Sequence, residues 1–342
     1  DSRQAAAFYS SYFEQTYRNI LYKRLIVETL KENSYSIRGK TLNVFIEDLV
    51  YQFEAHNVAA KNSDVTRKEA WKAALHEIVD NNGNTSLFSM GLLGLSLHNE
   101  NIPANNSLNL SSSEVATICS VFAMGMMADA AISYNANLNN ADKEYFTHNG
   151  VEYSYTLSDA NPKTYKRSFI PTKSNMTNKR LDYFMKVLKK AGNDISDERG
   201  RELLEKGIWK IFCSLGIITA VDSKYRVDTE KIKISKQSQW FICPKCKKIT
   251  IHNAFRVCPS FKCDGELESI QLEDTFATNH YYRMYQELDI RELRIVEHTA
   301  QLSREMAYEY QKKFKQKEID ILSCSTTFEM GVDVGSLETV FM

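Results

Sequence analysis

Near the start of the chain, apolar residues return every three to four positions: Phe8, Tyr9, Tyr12, Phe13, Tyr17, Ile20, Leu21 and Leu25. That spacing lines one face of a helix over residues 5–30. Similar periodicity predicts helices over 41–60, 66–79 and 112–133, the last opened by Ser111 to Ser113 and Glu114 as an N-cap signal. Residues 134–171 are rich in Asn, Tyr and Ser. They read as an irregular loop with a short hairpin around 151–156. Two further helices, 180–191 and 197–215, precede a short strand at Ile217 and Ile218. A strand pair at 225–227 and 231–234, split by a polar turn, comes next. A helix pair, a short strand and a strand pair make the outline of a winged helix, or of a helical bundle with a hairpin appended. The last third alternates strand (293–296), helix (303–316, with Met306, Tyr310 and Phe314 on one face and Ser303 as cap) and strand (319–323). Another strand-like run spans 337–342. Such β-α-β alternation predicts a parallel sheet flanked by helices. There is no internal repeat and no low-complexity tract.

Composition narrows this picture. The chain has 342 residues, 43% apolar and 25% charged, which suits an ordinary globular protein of two or three domains. Only 13 Gly and 5 Pro punctuate it, which favours long helices over a many-turned β fold. Net charge is zero, but residues 161–248 carry 21 Lys/Arg against 9 Asp/Glu, a net of +12. A locally basic segment in a neutral chain suits a nucleic-acid-facing module, or equally a solvated lysine-rich surface. The most apolar stretch, 115–132, contains Thr117, Ser120 and Asp129 and reads as a buried helix, so no membrane partner is expected. No leader is visible, and a cytoplasmic protein is the expectation. The chain opens at Asp1 without Met and stops at Met342 after an apolar run, so a piece of a longer polypeptide is expected.

Of seven cysteines, four cluster as Cys243-Pro-Lys-Cys246 and Cys258-Pro-Ser-Phe-Lys-Cys263. An odd, clustered set suits metal binding in a reducing compartment better than a disulfide framework. Each close pair can form a knuckle, and two knuckles complete a tetrahedral four-thiolate shell with no open position. Structural Zn(2+) is the expected occupant, with iron as its chemical competitor. The neighbouring Lys245, Lys247 and Lys248 are expected to favour the thiolates, and His252 is expected at the surface.

The segment 319–335, Ile-Asp-Ile-Leu-Ser-Cys-Ser-Thr-Thr-Phe-Glu-Met-Gly-Val-Asp-Val-Gly, runs from an apolar strand into a row of hydroxyls, then Gly331 and Asp333. Hydroxyls and free amides at the carboxyl end of a strand can bond phosphates. The segment resembles motif V of superfamily 2 (DEAD/DEAH-box type) helicases. Residues 297–304, Glu-His-Thr-Ala-Gln-Leu-Ser-Arg, and the helix to Phe314 resemble the stretch before motif V in that superfamily. The opening Asp-Ser-Arg-Gln-Ala-Ala-Ala-Phe resembles motif IV of one branch, the large bacterial helicases that include the DISARM and Druantia antiphage helicases and related repair helicases. The resemblance covers only the two ends of the chain.

What the resemblance implies is a split second RecA-like lobe over 1–34 and 285–342, interrupted by a helical insertion (35–160), a winged-helix-like segment (161–240) and a four-cysteine zinc ribbon (241–274). The fold class expected is thus α/β with a large, mainly α insertion. Ser325, Thr326, Thr327, Ser2, Arg3 and His298 would face the nucleic acid, DNA being favoured. Gly331 and Asp333 would couple that contact to the nucleotide cleft. Lys231 and Lys233, in the basic segment, would grip the strand. ATP and Mg(2+) would enter only in the intact protein, on a first RecA-like lobe of the same polypeptide, with defence or repair proteins as further partners. This chain has no G-x-x-x-x-G-K-[ST] loop, no magnesium-binding Asp-Glu motif and no arginine-finger motif, so alone it is expected to be inactive. The competing expectation is a zinc-stabilised scaffold that binds nucleic acid or protein without motor activity.

Overall fold

The computed structural model describes residues 2–56, 63–98, 101–291, 293–298 and 302–324, with side chains from residue 10 onward and that of Ser63 excepted. It is mixed α/β, with several small sheets. The chain divides into two compact units. One is continuous, Leu25–Glu287; the other is split, Asp1–Arg24 with Leu288–Met342. The first break falls inside the opening helix, Ser2–Thr29. No helix among the described residues is long and apolar enough to cross a membrane.

In the continuous unit, the helix Ser112–Met127 is the central apolar rod. Ser111 accepts from the Glu114 amide while the Glu114 carboxylate accepts from the Ser111 amide, a reciprocal cap that satisfies two otherwise orphaned donors. Ten of its residues are buried, including Cys119, Phe122 and Met126. It stops at Met127, short of the expected residue 133. Ala130 takes a left-handed φ of 53°, which turns the chain into a strand at Ile132–Ser133. Phe122 then meets Phe169 edge-on at 5.8 Å and Tyr183 at 6.2 Å. Phe169 also packs on Trp209 and Phe212, so one aromatic cluster ties this rod to both later helices.

Three sheets surround this core. In the first, Ile232–Ser235 is the central strand between Lys40–Thr41 and Gly94–Leu97, all antiparallel. In the second, Lys224–Asp228 pairs with Ile218–Val221 as a hairpin, and also with Ile132–Ser133 and Ser154–Thr156. Ser154–Thr156 pairs in turn with Lys166–Ser168 in parallel. The third sheet centres on Trp240–Ile242, flanked by Ile249–Thr250 and Glu268–Ile270.

This topology corrects several expectations. The strand pair 225–227 with 231–234 does not form. Asp228 caps a 3-10 turn at Thr229–Lys231, and that turn sends the two strands into different sheets. The hairpin beside the helix pair is Ile218–Val221 with Lys224–Asp228 instead. The blocks read as separate, 35–160 and 161–240, share two sheets, and 35–160 is not purely helical. The expected hairpin at 151–156 is a single strand, because its parallel neighbour lies ten residues further on. The supposed loop also holds a helix, Asn140–Phe146, capped reciprocally by Asn139 and Asp142.

In the split unit, Ile295–His298 and Ile321–Cys324 are parallel neighbours, with the helix Arg304–Lys315 between them in sequence. Ser303 caps that helix. Where the strands begin, Arg291 forms a two-pronged ion pair with Asp320 at 2.9 and 2.8 Å, which holds the Asp320 carboxyl below its usual range.

Replacing Ser111 by Ala removes half of the reciprocal cap. Urea unfolding should show a loss of about 1 kcal/mol with an unchanged slope.

Candidate metal centre

The backbone of the first knuckle closes through Cys243 N–H to Lys248 O (2.9 Å) and Lys247 N–H to Cys243 O (2.8 Å), with Lys247 at a left-handed φ of 62°. The second closes through Cys263 N–H to Ser260 O (3.1 Å), with Lys262 at 57°. These turns bring the sulfurs of Cys243, Cys246, Cys258 and Cys263 within 4.8 Å of one another. The close approaches cross between knuckles: Cys243 to Cys263 at 3.7 Å and Cys246 to Cys258 at 3.5 Å. A tetrahedron of ~2.3 Å metal–sulfur bonds has sulfur–sulfur edges of about 3.8 Å, so the donor set fits one metal ion such as zinc.

Three of these cysteines are buried and Cys246 is exposed. Burial raises the Cys246 thiol, but the Ser260 hydroxyl and the backbone N–H of Lys248 favour its thiolate and bring it down to about 6. Burial pushes the Cys258 thiol up to about 12. A dication at the centre would override both, since metal-bound thiols are deprotonated. Two of the expected lysines also hold other partners, Lys245 pairing with Asp264 and Lys248 donating to Asn82 Oδ1, while both interact electrostatically with the sulfurs. Gly265 carries a tighter constraint. A Cβ there would stand 2.5 Å from Cys243 Sγ, so only glycine leaves the sulfur room.

What seats the second knuckle was not legible from the cysteine spacing. Lys186, on the helix Lys179–Lys190, donates to the carbonyls of Cys258 (3.2 Å), Ser260 (3.0 Å) and Cys263 (2.9 Å). Asp182, one turn earlier, accepts from the Lys262 amide at 3.0 Å and pairs with Lys186 at 2.9 Å. One ammonium thus satisfies three carbonyls that the tight turn leaves without strand partners.

His252 is buried, not at the surface. Its Nε2 lies 3.0 Å from Leu95 O, its ring stacks on Phe88, and burial drives its pKa down to about 4. It binds no metal with the four cysteines, which form the one metal-suited cluster of His, Cys, Asp and Glu among the described residues.

The remaining expected site residues fall in three places. Lys231 and Lys233 are half-buried, at the start and middle of the first sheet's central strand region, with Lys233 paired to Thr41 and Ser96. His298 ends its strand directly beside Cys324 and lies 3.2 Å from Gln311 Nε2. Ser325, Thr326, Thr327, Gly331 and Asp333 lie outside the described residues, as do the side chains of Ser2 and Arg3. Comparison with family models, characterised proteins and solved structures finds no match to this chain.

The purified chain should retain one metal ion per molecule, and a chelator should lower its melting temperature. Gly265→Ala should weaken metal retention at least tenfold, read by competition with a chromogenic chelator. Because His252 binds its proton more weakly folded than unfolded, stability should fall as pH drops through the unfolded value of about 6.5. The loss between pH 7 and pH 5 is about 2 kcal/mol. A His252→Gln variant should show a pH profile flatter by that amount in urea titrations.

Proposed function

We propose that this chain is part of an ATP-dependent nucleic-acid helicase or translocase of superfamily 2, acting on DNA, with a structural zinc ion at Cys243, Cys246, Cys258 and Cys263. The observation that carries the reading is the β-α-β unit Ile295–His298, Arg304–Lys315, Ile321–Cys324. Ligands of open parallel sheets bind beyond the carboxyl ends of the strands. His298 and Cys324 are side by side at those ends, and the hydroxyl run Ser325, Thr326, Thr327 follows Cys324 without interruption. Those hydroxyls would bond the strand's phosphates, and Gly331 and Asp333 would link that contact to a nucleotide held by the first lobe. The order of the two compact units supports an insertion, since one unit is split in sequence around the other. The helix pair of residues 179–214 with its hairpin supports a duplex-engaging role for the insertion. Four thiolates leave no open coordination position, so the zinc would organise the fold and take no part in a reaction.

In the full-length polypeptide, Asp333→Ala should reduce DNA-stimulated ATP turnover at least tenfold while strand binding persists. Unchanged stimulated turnover would remove the motif V assignment and leave a zinc-stabilised binding scaffold.

A further inference from the structure

We infer that a cleft in the continuous unit binds single-stranded nucleic acid, stacking a base on Phe261 and holding phosphates with Lys166 and Lys179. The cleft measures about 860 Å3 and lies between the rod Ser112–Met127, the segment 155–180 and the second cysteine knuckle. Its wall carries five Lys and Arg side chains and one carboxylate, Asp129. That carboxylate is already matched: it accepts from Tyr155 OH at 2.6 Å and pairs with Arg167 at 3.0 Å. Arg180 is occupied as well, donating to the carbonyls of Phe169 and Ser168 at 2.7 Å each. Lys179, the first residue of its helix, is exposed. Lys166 stands 3.8 Å from the exposed Asp159 and Lys248 donates to Asn82 Oδ1, so the cations placed to meet a polyanion run from Lys166 to Lys179 along one wall of the cleft.

Two features go beyond charge. Phe261, at the tip of the second knuckle, is 40% exposed and lines the cleft. Lys262 sits 5.3 Å from its ring centroid, which joins a cation to the aromatic face. An exposed ring in a basic groove is what unpaired bases stack on, and a duplex offers no such free base face. Deeper in, Asn81 is 1% exposed, and its Nδ2 donates to Ile78 O (2.8 Å) and Met124 O (3.2 Å). Those two bonds fix the amide's orientation and leave Oδ1 buried without a donor. Asn81 is among the residues lining the cleft, so an amino or imino group of a base that reached it would supply the missing donor. The proposal rests on the cleft and is independent of the helicase resemblance. It also differs from the sequence expectation, since neither Lys231 nor Lys233 lines this cleft.

The test is fluorescence anisotropy of the chain with a short labelled oligothymidylate and with a blunt duplex, across a salt series. The strand should bind more tightly than the duplex. Phe261→Ala should weaken strand binding roughly tenfold without altering the salt slope, and Phe261→Tyr should restore it. Lys179→Glu should weaken binding and lower the slope by about one. Metal content and melting curves report whether each variant is folded. Absence of strand binding, equal affinity for duplex, or folded variants that bind as tightly as the parent would each overturn the proposal. The Asp333 assay decides the motor reading separately, so the two can fail independently.

Discussion

Sulfur atoms held 3.5 to 3.7 Å apart repel one another once they ionise, and only a cation between them reverses the sign. A metal ion held by the four cysteines would supply that reversal in the region from Trp240 to Ile270. The apolar residues packed against the cysteines themselves are Leu267 and the partly buried Phe241. The strands of this region are two or three residues long. Cross-linking the knuckles through one ion would fix both turns together. It would also set the carbonyls of Cys258, Ser260 and Cys263 where Lys186 can receive them. The same closure would position Phe261, making the metal centre and one wall of the basic cleft a single mechanical element.

The opposite wall is organised by Arg180. Its guanidinium lies over the rings of Tyr155 and Phe169 at 4.8 and 5.0 Å and bonds two carbonyls of the strand Lys166–Ser168 and its continuation. Planar stacking plus forked donation is a combination lysine cannot reproduce. Phe169 in turn belongs to the aromatic cluster with Phe122, Trp209 and Phe212. Strain or loosening in that cluster would therefore reach the strand that carries Lys166 and Arg167.

Much of this was legible in the residues themselves, and the divide follows the range of the interaction. Local signals read well: the caps at Ser111 and Ser303 involve residues within one turn, and the β-α-β alternation and the cysteine spacing follow from the order of short neighbouring segments. Long-range pairing did not. The strand 232–235 looks like the second arm of a hairpin because its neighbours in sequence are polar. Its true partners are residues 40–41 and 94–97, and no local pattern encodes them. His252 reads as a surface residue because it lies in the loop between the two cysteine pairs, yet the third sheet turns it inward against Leu95 O. Lys186 and Asp182 read as ordinary helix-surface charges, and their role becomes visible only once the knuckle is docked on that helix. The cleft combines side chains from four distant stretches, so only the net basicity of residues 161–248 foreshadowed it.

The interleaving of early and late strands also governs how the molecule is made. Lys40 faces Ile234, and Ile132 faces Val227, so neither sheet can close until the chain has been synthesised almost to the first cysteine knuckle. At about 5–20 residues per second, the early segments wait on the order of 10 s or more on the ribosome with their apolar faces uncovered. The rod Ser112–Met127, with ten buried residues and few charges, is the most vulnerable of them. Its tight reciprocal cap is a local device available during that interval, before any distant strand has arrived. The two sheets thus close late and nearly together.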